Sequence, residues 1–577
     1  MNNVSVISKC TEVSAALEAS DLDPLLKRIY ANRGIVNCDQ LDYSISGLLD
    51  FTKLKGIEAA SAIIADAVMN DEAVVIVGDF DADGATSSAL MVRALRSLGL
   101  PGVRYLVPNR FEYGYGLTPE IVLLARDMSP DLIITVDNGI SSIDGVAYAK
   151  QQNIKVVVTD HHLQGAVLPD ADAIVNPNQQ DCAFPSKMMA GVGVAFYVML
   201  AVRASLRTRG WFDAQRPEPN MASLLDLVAL GTVADVVPLD KNNRLLVQQG
   251  LSRIRKSQCC WGIQALLTIS GKNMHNCSTQ DFGFAVAPRL NAAGRLDDMS
   301  AGIECLLADD FETAMDYAKM LDELNQQRKE IEGDMLVQAM TIMETLLVKM
   351  AGEKLQSGLC LFDEEWHQGV VGLLASRVKE KFHRPVIAFA DAGGDEIKGS
   401  ARSIPGVHIR DVLDAIATQH PALIQKFGGH AMAAGLSMKK ADFEQFSSAF
   451  SQQIDSCIDK KSLDKVIETD GGLQMGELSM NAAEALSQAG PWGQCFPEPL
   501  FNDEFSVLDW KVLKEKHLKL KLRHCINNAE VDAIAFNQSA DVLPAGDSPL
   551  RMVYRMNVNE FRGYRNLQLI VEHIEPG

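Results

Sequence analysis

Several signatures of membrane, secreted and zinc-binding proteins are missing from this chain of 577 residues. No uninterrupted apolar run reaches the roughly 18 residues that a membrane-spanning helix needs. The N-terminus lacks the basic start and apolar core of a secretory signal. The 11 cysteines form no CxxC pair, which argues against a zinc site or a disulfide framework. We therefore expect a cytoplasmic protein with reduced thiols and no membrane partner.

An excess of positive charge is also missing. The chain has 54 basic and 74 acidic residues and a formal net charge of −20, which argues against a protein that coats nucleic acid with a broad basic face. A nuclease is not excluded, because an acidic enzyme can keep a local basic groove and supply positive charge through metal ions. The hydrophobic content of 47% is ordinary for a globular protein. The length exceeds that of a single core, so we expect several domains.

Short apolar runs that alternate with helices predict a parallel α/β sheet in the first half of the chain. The runs Val74–Val77, Leu132–Val136 and Val156–Thr159 each end in a polar segment that contains aspartate. A helix over Thr86–Leu98 is predicted after the first run. Ligands of such sheets bind at the carboxyl ends of the strands, so the three polar segments are expected to converge.

The remaining sequence predicts three further parts. A charged stretch over 309–350, almost free of Gly and Pro, predicts a long helix that joins two domains. A second α/β pattern follows over 358–455. The last hundred or so residues alternate between apolar and polar side chains, as in His517–Leu522, which is typical of a small β-barrel or sandwich.

The strongest local signal is a group of three carboxylates at alternate positions, Asp79, Asp81 and Asp83, directly after a buried strand. Carboxylates placed together repel one another unless a cation neutralises them. Hard divalent cations such as Mg²⁺ and Mn²⁺ prefer oxygen ligands. Asp137 ends the next strand, where it is placed to bridge two ions. The pattern predicts a pair of divalent metal ions.

The third strand end adds Asp160, His161 and His162, and Asp235 supplies a further carboxylate near the end of a helix. The imidazoles shift the preference towards Mn²⁺ or another transition metal. Two metal ions can activate a water and stabilise both oxygens of an in-line displacement, the usual arrangement in phosphatases, nucleases and polymerases. The cluster therefore predicts hydrolysis of a phosphate ester.

Each of these groups has a simpler explanation when taken alone. The segment Asp79–Asp83 also fits a solvated turn or a structural calcium loop, Asp137 also fits an N-cap, and two adjacent histidines are often incidental. An EF-hand loop would need Glu at its twelfth position, where this chain has Leu90 inside an apolar helix. The joint occurrence of these groups at three successive strand ends favours a metal centre.

Several segments together resemble the DHH phosphoesterase superfamily. They are Gly78–Gly84, Val136–Gly139, Thr159–His162 and the later Asp235. Within that superfamily, Pro288–Leu296 resembles the segment that closes the catalytic domain of the RecJ family of exonucleases. Trp366–Gly372 and Phe427–Gly435 resemble parts of the second domain of that family. The resemblance spans most of the chain, from about residue 45 onwards.

The resemblance implies an α/β fold with a parallel-sheet DHH catalytic domain, a long connecting helix, a second α/β domain of the DHHA1 type and a C-terminal β-barrel of the OB type. The implied division of the chain is 1–45 for an N-terminal segment, 46–305 for the catalytic domain, 306–352 for the connecting helix, 353–458 for the DHHA1-like domain and 468–577 for the OB-like, nucleic-acid-binding domain.

The resemblance also implies a function. It is that of a 5′→3′ exonuclease on single-stranded DNA that releases mononucleotides with two Mn²⁺ or Mg²⁺ ions, in DNA repair and recombination. The implied metal ligands are Asp79, Asp81, Asp83, Asp137, His161 and Asp235. Asp137 would bridge the ions, His162 would face the phosphate, and Asp160 would orient the imidazoles. The implied partners are single-stranded DNA, a helicase that supplies it and a single-strand-binding protein.

Further residues are assigned to the DNA strand by the same resemblance. Arg110, Ser400 and Arg402 would bind its 5′ end, although an isolated arginine is otherwise a solvated charge. Family members often have Gly where this chain has Ala401. A basic stretch in the barrel would bind the strand or would be a solvated face. It consists of Lys511, Lys514, Lys516, Lys519, Lys521 and Arg523.

A second set of candidates has structural alternatives. Either Arg289, Asn291 and Arg295 hold the DNA backbone near the metals, or Asn291 and Arg295 cap and brace the domain junction. Gly428 and Gly429 either admit a phosphate or base or form a tight turn. His430 either donates to a phosphate or is a buried structural histidine, and we slightly favour the second.

Two other functions compete with an exonuclease. A small-molecule DHH phosphodiesterase or pyrophosphatase shares the metal loops but usually lacks the long helix and the barrel. A catalytically silent DNA-binding scaffold tends to lose metal ligands, whereas every candidate ligand is present in this chain.

Overall fold

The structure is a computed structural model that describes residues 4–109, 113, 116–349, 355–514, 517–538, 540–543, 548–561 and 564–576. Contacts within the chain divide it into two compact units. One unit comprises Met1–Ile7 and Glu323–Glu468, and the other comprises Ser8–Asp322 and Thr469–Gly577. The second of these, here called the catalytic unit, therefore contains the segments predicted to hold the metals and also the C-terminal barrel.

The strands are numbered in chain order. They are β1 Val4–Ser8, β2 Val74–Gly78, β3 Arg104–Leu106, β4 Leu132–Val136, β5 Lys155–Thr159, β6 Ala173–Val175, β7 Leu359–Asp363, β8 Val386–Gly393, β9 Glu396–Arg402, β10 Lys426–Gly429, β11 Ala433–Lys439, β12 Lys465–Thr469, β13 Phe501–Leu513, β14 His517–His524, β15 Glu530–Phe536, β16 Leu550–Phe561 and β17 Tyr564–Pro576.

The helices are numbered in the same way. They are α1 Ala15–Glu18, α2 Pro24–Ala31, α3 Ile57–Asn70, α4 Ala82–Leu98, α5 Pro119–Arg126, α6 Ile143–Gln151, α7 Gly191–Thr208, α8 Leu225–Ala234, α9 Lys241–Arg255, α10 Trp261–Ile269, α11 Thr279–Asp281, α12 Ala287–Leu296, α13 Ser300–Leu307, α14 Phe311–Lys349, α15 Val371–Phe382, α16 Ile409–Gln419, α17 Phe443–Cys457 and α18 Met480–Gln488.

A five-stranded sheet in the order β3-β2-β4-β5-β6 forms the centre of the catalytic unit, and all its neighbouring strands are parallel. This arrangement confirms the predicted parallel sheet. Every residue of β2 and β4 is buried, as the continuous apolar runs require. The register aligns Gly78 with Val136 and Val136 with Thr159. The three polar segments therefore leave adjacent strands at the same level.

Helix α4 begins at Ala82, and the prediction that it begins at Thr86 was wrong. Asp81 caps the helix, because its Oδ1 accepts hydrogen bonds from the amides of Asp83 at 2.9 Å and Gly84 at 3.0 Å. The side chain of Asn291 accepts a further hydrogen bond from the Ala82 amide at 2.8 Å. The acidic segment is thus shorter than the sequence suggested, and Asp83 lies in the first turn of the helix.

Both later domains have the predicted class. A mixed sheet in the order β10-β11-β9-β8-β7 confirms the second α/β domain, with β7 and β8 parallel. Strands β13, β14, β15, β17 and β16 close into a barrel. The single helix α14 has 39 residues and confirms the long connecting helix.

Among the described residues, α7 is long and apolar enough to cross a membrane by length and composition alone. It is 67% buried inside the protein, and it contacts α3, α4 and α8. This is the environment of a core helix in a globular domain.

Candidate metal centre

Three overlapping groups of predicted ligands have donor atoms within 4.8 Å of one another. The groups are Asp79 with Asp81 and Asp137, Asp83 with His161 and Asp235, and Asp137 with His161 and His162. The structure thus brings together all six predicted metal ligands and His162. Asp137 belongs to two groups, as expected of a carboxylate that bridges two ions.

The turn that carries Asp137 is held by the residue that follows it. Asp137 has a left-handed backbone with φ of 60°, which Asp tolerates better than most residues. The side-chain amide of Asn138 donates to the carbonyl oxygens of Val77 at 3.1 Å and Val136 at 2.9 Å. The hydroxyl of Thr135 donates to the Asn138 carbonyl at 2.7 Å. These bonds tie the turn to both β2 and β4.

The carboxylate of Asp83 contacts the N-terminus of α7. It is 1% exposed and accepts hydrogen bonds from the amides of Gly191 at 2.6 Å and Val192 at 3.0 Å. The positive end of an 18-residue helix therefore stabilises one of the acidic groups. Glycine is required at 191, because a Cβ there would lie 2.6 Å from Cβ of Asp137. Sequence reasoning missed this contact.

Asp160 orients the two histidines. Its Oδ1 contacts Nδ1 of His162 at 2.7 Å and accepts from the amides of His161 at 2.7 Å and His162 at 3.0 Å. Its Oδ2 accepts from the Ile140 amide at 2.9 Å. Asp160 thus contacts both histidine residues, which fits a residue that positions the imidazoles.

Two asparagines donate hydrogen bonds to the backbone carbonyl groups of His161 and His162, and sequence reasoning missed both. The amide of Asn176 donates to the His162 carbonyl at 2.9 Å, and that of Asn178 donates to the His161 carbonyl at 2.6 Å. They lie just beyond β6, the next strand of the sheet. A short polar segment after that strand was the available signal.

Asp235 caps the C-terminus of α8 and lies near the ring of His161. Its Oδ2 lies 3.5 Å from Nε2 of His161, which itself lies 3.0 Å from Oδ1 of Asp137. The Oδ2 atom is buried and accepts no hydrogen bond within the described ranges. Val236, which follows, has a φ of 58°, a strained conformation for a β-branched residue.

Burial and mutual repulsion dominate the electrostatics of the cluster. Burial, followed by the charge of Asp81, raises the pKa of Asp83 to about 7. Burial, followed by the charges of Asp83 and Asp81, raises the pKa of both Asp137 and Asp235 well above the ordinary range. For these three carboxylates, burial and mutual repulsion thus disfavour the ionised form.

The pair of Asp160 and His162 shows the opposite behaviour. Burial alone would raise the pKa of Asp160, but its hydrogen bond to His162 and the charge of that ring lower it. Burial alone would lower the pKa of His162, but the hydrogen bond and charge of Asp160 raise it to about 9. Asp160 therefore holds His162 in its protonated form at neutral pH.

The donor set fits divalent cations. Several carboxylates and one imidazole converge where the charges of the carboxylates disfavour ionisation, and no residue that the structure describes donates a hydrogen bond to the buried Oδ2 of Asp235. A hard or borderline cation satisfies both conditions, because it neutralises the carboxylates and coordinates the remaining oxygen.

Comparisons with known proteins agree with this arrangement. Residues 73–232 match the DHH family, N-terminal domain, residues 348–456 match the DHHA1 domain, and residues 469–573 match the RecJ OB domain. The chain is 52% identical over 559 residues to the single-stranded-DNA-specific exonuclease RecJ of Salmonella typhimurium, and the match covers 96% of each chain. The chain belongs to the RecJ family.

Two solved RecJ structures match this chain along its full length. The chain aligns with the crystal structure of RecJ from Thermus thermophilus in complex with Mn²⁺ at a TM-score of 0.80 and 28% identity, over 100% of this chain and 80% of that one. The same protein in complex with Mg²⁺ aligns at a TM-score of 0.75 and 26% identity, over 100% of this chain and 79% of that one.

The candidates near the RecJ-type metal cluster are engaged within the protein. Arg289 pairs with Asp322 at 2.7 Å and donates to the Ala285 carbonyl at 2.6 Å. Asn291 caps α4, which favours the structural alternative for its side chain. Arg295 lies in the last turn of α12.

In the other unit, two candidates for the 5′ end are adjacent on β9. Nη1 of Arg402 donates to the Ser400 hydroxyl at 2.9 Å. Glycine at 372 makes room for them, because a Cβ there would lie 2.7 Å from Nη2 of Arg402 and 2.9 Å from the Ser400 hydroxyl. The third candidate, Arg110, lies outside the described residues. Ser400 and Arg402 thus present a guanidinium and a hydroxyl side by side.

The glycine-rich hairpin lies beside them. Gly428 pairs with Gly435 and Gly429 with Ala434. Gly429 has a φ of 146°, and a Cβ there would overlap the Ala434 backbone, so this glycine is required by the turn itself. His430 is exposed, and the preference for a buried structural histidine was therefore wrong. The hairpin closes so tightly that it leaves this ring on the surface.

Much of the basic stretch in the barrel is neutralised by acidic residues of β15. Lys521 and Arg523 pair with Glu530 at 2.9 and 3.0 Å, and Lys519 lies 3.8 Å from Asp532. Lys516 lies outside the described residues. For these three side chains, the ion pairs favour a solvated strand face, which is one of the two alternatives that the sequence did not decide between.

Proposed function

We propose that this RecJ-family protein is a single-stranded-DNA-specific exonuclease that degrades the strand from its 5′ end and releases mononucleotides by two-metal hydrolysis. The observation that carries the proposal is the convergence of six candidate ligands around Asp137 and His161. The metals we assign to it are Mn²⁺ or Mg²⁺, the ions named in the RecJ structures from Thermus thermophilus.

The grouping of the donor atoms supports the following ligand assignment. Asp137 would bridge the two ions, with Asp79 and Asp81 on one side and Asp83, His161 and Asp235 on the other. Ions held there would lower the pKa of a bound water and neutralise the charge that develops on the phosphate oxygens.

His162 is assigned to the scissile phosphate. Asp160 contacts its Nδ1, fixes the ring and keeps it protonated, so Nε2 is the nitrogen that would donate to a phosphate oxygen. The charge of the imidazolium matches the anionic phosphate. Asp160 acts through this ring and through the amides of Ile140, His161 and His162.

We assign the direction of degradation, from the 5′ end, to Ser400 and Arg402 on β9. A terminal phosphate carries more charge than an internal one, and an Arg beside a hydroxyl donor suits it. Ser400 and Arg402 supply these groups, and Arg110 is proposed as a further residue that binds the 5′ end. We further propose that Arg289, Asn291 and Arg295 fix the element bordering the metals, and that Gly428, Gly429 and His430 line the path of the strand.

We retain the division into an N-terminal segment 1–45, a catalytic domain 46–305, a connecting helix 306–352, a DHHA1-like domain 353–458 and an OB-like domain 468–577. The matched family segments at 73–232, 348–456 and 469–573 support it. The proposed setting is DNA repair and recombination in the cytoplasm, with a helicase and a single-strand-binding protein as partners.

The first experiment compares 5′-labelled and 3′-labelled single strands, and matching duplexes, with Mn²⁺, Mg²⁺ or chelator. We expect labelled mononucleotide to be released early from the 5′-labelled single strand alone, and only with metal. Asp137→Ala should reduce the rate by at least about a thousandfold, because both ions lose a ligand. Asp170→Ala, which removes a carboxylate that is 89% exposed, is the matched control and should retain full activity.

Other outcomes would redirect the assignment. Early release from the 3′-labelled strand would refute the proposed polarity. Cleavage of dinucleotides or pyrophosphate without attack on long strands would refute the exonuclease and favour the small-molecule branch of the superfamily, with the metal centre intact.

A further inference from the structure

The side chain of Phe284 is 82% exposed, although its neighbours are core residues. Phe282 and Val286 are 0% exposed and Ala285 is 6% exposed. An exposed phenyl ring contributes none of the burial free energy that these neighbours gain. Packing within the chain therefore does not explain a large aromatic residue at this position.

Phe284 lies in an irregular turn that is firmly attached to the metal loop. Phe282–Val286 forms a single π-helical turn, a feature that often occurs at functional sites. Helix α12 follows at once, and its Asn291 caps α4 at Ala82. A Cβ at Gly294 of the same helix would overlap the Phe80 carbonyl oxygen. The helix that follows the turn therefore packs directly against the loop between Asp79 and Asp81.

The other side of the turn contacts the helix that ends in Asp235. A Cβ at Gly283 would lie 4.0 Å from Cγ1 of Val233, which precedes Asp235 by two positions. Val236, which has a left-handed backbone, is 65% exposed. The turn that carries the exposed ring thus lies beside the helix that ends before Asp235, and it leads into the helix that packs against the loop between Asp79 and Asp81.

We propose that Phe284 stacks against a base of the bound single strand next to the scissile phosphate, and so positions that phosphate over the metal cluster. The proposal rests on the proposed function, with single-stranded DNA as the substrate. Every unpaired base has a face available for stacking, so an exposed aromatic ring holds a strand without selecting a sequence. A base and its phosphate are joined through one ribose, so fixing the base restricts the phosphate.

The test compares Phe284→Ala with Phe284→Trp on a 5′-labelled oligonucleotide. We expect kcat/KM to fall about tenfold for Phe284→Ala, within the range observed when a stacking residue is truncated, and to stay near wild type for Phe284→Trp. Leu123→Ala removes an apolar side chain that is 45% exposed on α5 and is the matched control, which should behave as wild type.

The decisive readout is a scan of single abasic nucleotides along the same strand. In the wild type, one abasic position should reduce kcat/KM about tenfold. In Phe284→Ala, the same position should cause no further loss, because the base has already lost its partner. A purely structural role of Phe284 would not produce this coupling, because it would lower the rate equally on every strand.

Two results would overturn the proposal. The first is a kcat/KM of Phe284→Ala equal to that of the wild type. The second is that, at every abasic position, the reduction in kcat/KM caused by the abasic site is as large in Phe284→Ala as in the wild type. Failure of the proposed function is distinguishable, because the wild type would then release no nucleotide from the intact strand in the same assay.

Discussion

At the scale of single residues, the metal cluster sets how stability depends on pH. The pKa of Asp83 is raised from 3.8 to about 7, and those of Asp137 and Asp235 are also raised. A carboxyl group with a higher pKa in the folded state stabilises the fold below its unfolded pKa, and this contribution is lost as the pH rises through the folded value. Without metal, the protein should therefore lose stability between about pH 4 and pH 7.

Thermal unfolding in chelator and in Mn²⁺ measures this effect. We expect Tm in chelator to fall across that pH range and Mn²⁺ to restore it at the upper end, because a cation replaces the protons. Asp83→Asn, a neutral group of the same shape, should flatten the fall. Identical pH profiles for the wild type and this variant in chelator would contradict the expectation.

The ligand residues were accessible to sequence reasoning, whereas their supports were not. Asp79, Asp137 and His161 follow buried strands. The alternation of strands with helices predicts a parallel sheet, and such a sheet brings these residues together at one edge. The amides of Gly191 and Val192 reach Asp83 from 108 and 109 residues away and act through the backbone. A main-chain donor has no residue type of its own, so the sequence alone does not reveal it.

At the scale of elements, the start of α7 determines the spacing of the cluster. Gly191→Ala would press a methyl group against Asp137. Overpacking of this kind costs about 1–3 kcal/mol of unfolding free energy, and displacement of a ligand by about 1 Å lowers activity by roughly a hundredfold. We expect both losses, measured by denaturant unfolding and by release of labelled nucleotide.

Gly193→Ala is the control in the same helix. A Cβ at this position would lie 3.6 Å from Cβ of Met189, an ordinary contact distance. Alanine favours a helix by up to about 1 kcal/mol over glycine, so this variant should be at least as stable as the wild type. Equal behaviour of the two variants would show that the close approach to Asp137 is unimportant.

Predicting the elements failed where a tertiary contact decides a boundary. In α4, the regular spacing of apolar residues begins only after the acidic segment that ends at Asp83. The sequence therefore favoured a start at Thr86. The observed start at Ala82 depends on Asp81 and on Asn291, which lies 209 residues from Ala82. A cap supplied from so far away leaves no local pattern.

At the scale of the whole molecule, the catalytic unit joins residues from the two parts of the sequence that flank the segment Glu323–Glu468. Arg33 forms two hydrogen bonds with the carboxylate of Asp470, at 2.8 and 3.0 Å. Their side chains are only 4% and 6% exposed. The N-terminal segment, which the sequence left without a function, thus contacts the start of the barrel domain.

Arg33→Ala should lower the free energy of unfolding of this unit by about 3 kcal/mol, because it leaves the Asp470 carboxylate buried without its partner. Arg28→Ala is the control, since its pair with Glu477 is more exposed, at 24% and 14%, and should contribute no more than about 1 kcal/mol. Urea unfolding of both variants measures the difference. Equal losses would contradict the role assigned to burial.

The order of the domains was predictable because each has its own periodicity. The joining of the first and last parts of the chain was not, because it depends on single polar contacts such as Arg33 with Asp470. Net charge and composition carry no information about such pairs. The predicted division therefore follows the order of the sequence, whereas the physical units do not.

The discontinuous unit also has a consequence for how the protein is made. A ribosome synthesises Ser8–Asp322 long before it reaches Thr469–Gly577, yet both segments belong to one compact body. The contact between Arg33 and Asp470 can therefore form only after the ribosome has synthesised the intervening segment and the start of the barrel domain. A nonsense mutation early in the barrel would accordingly damage the first part of the polypeptide as well as the last.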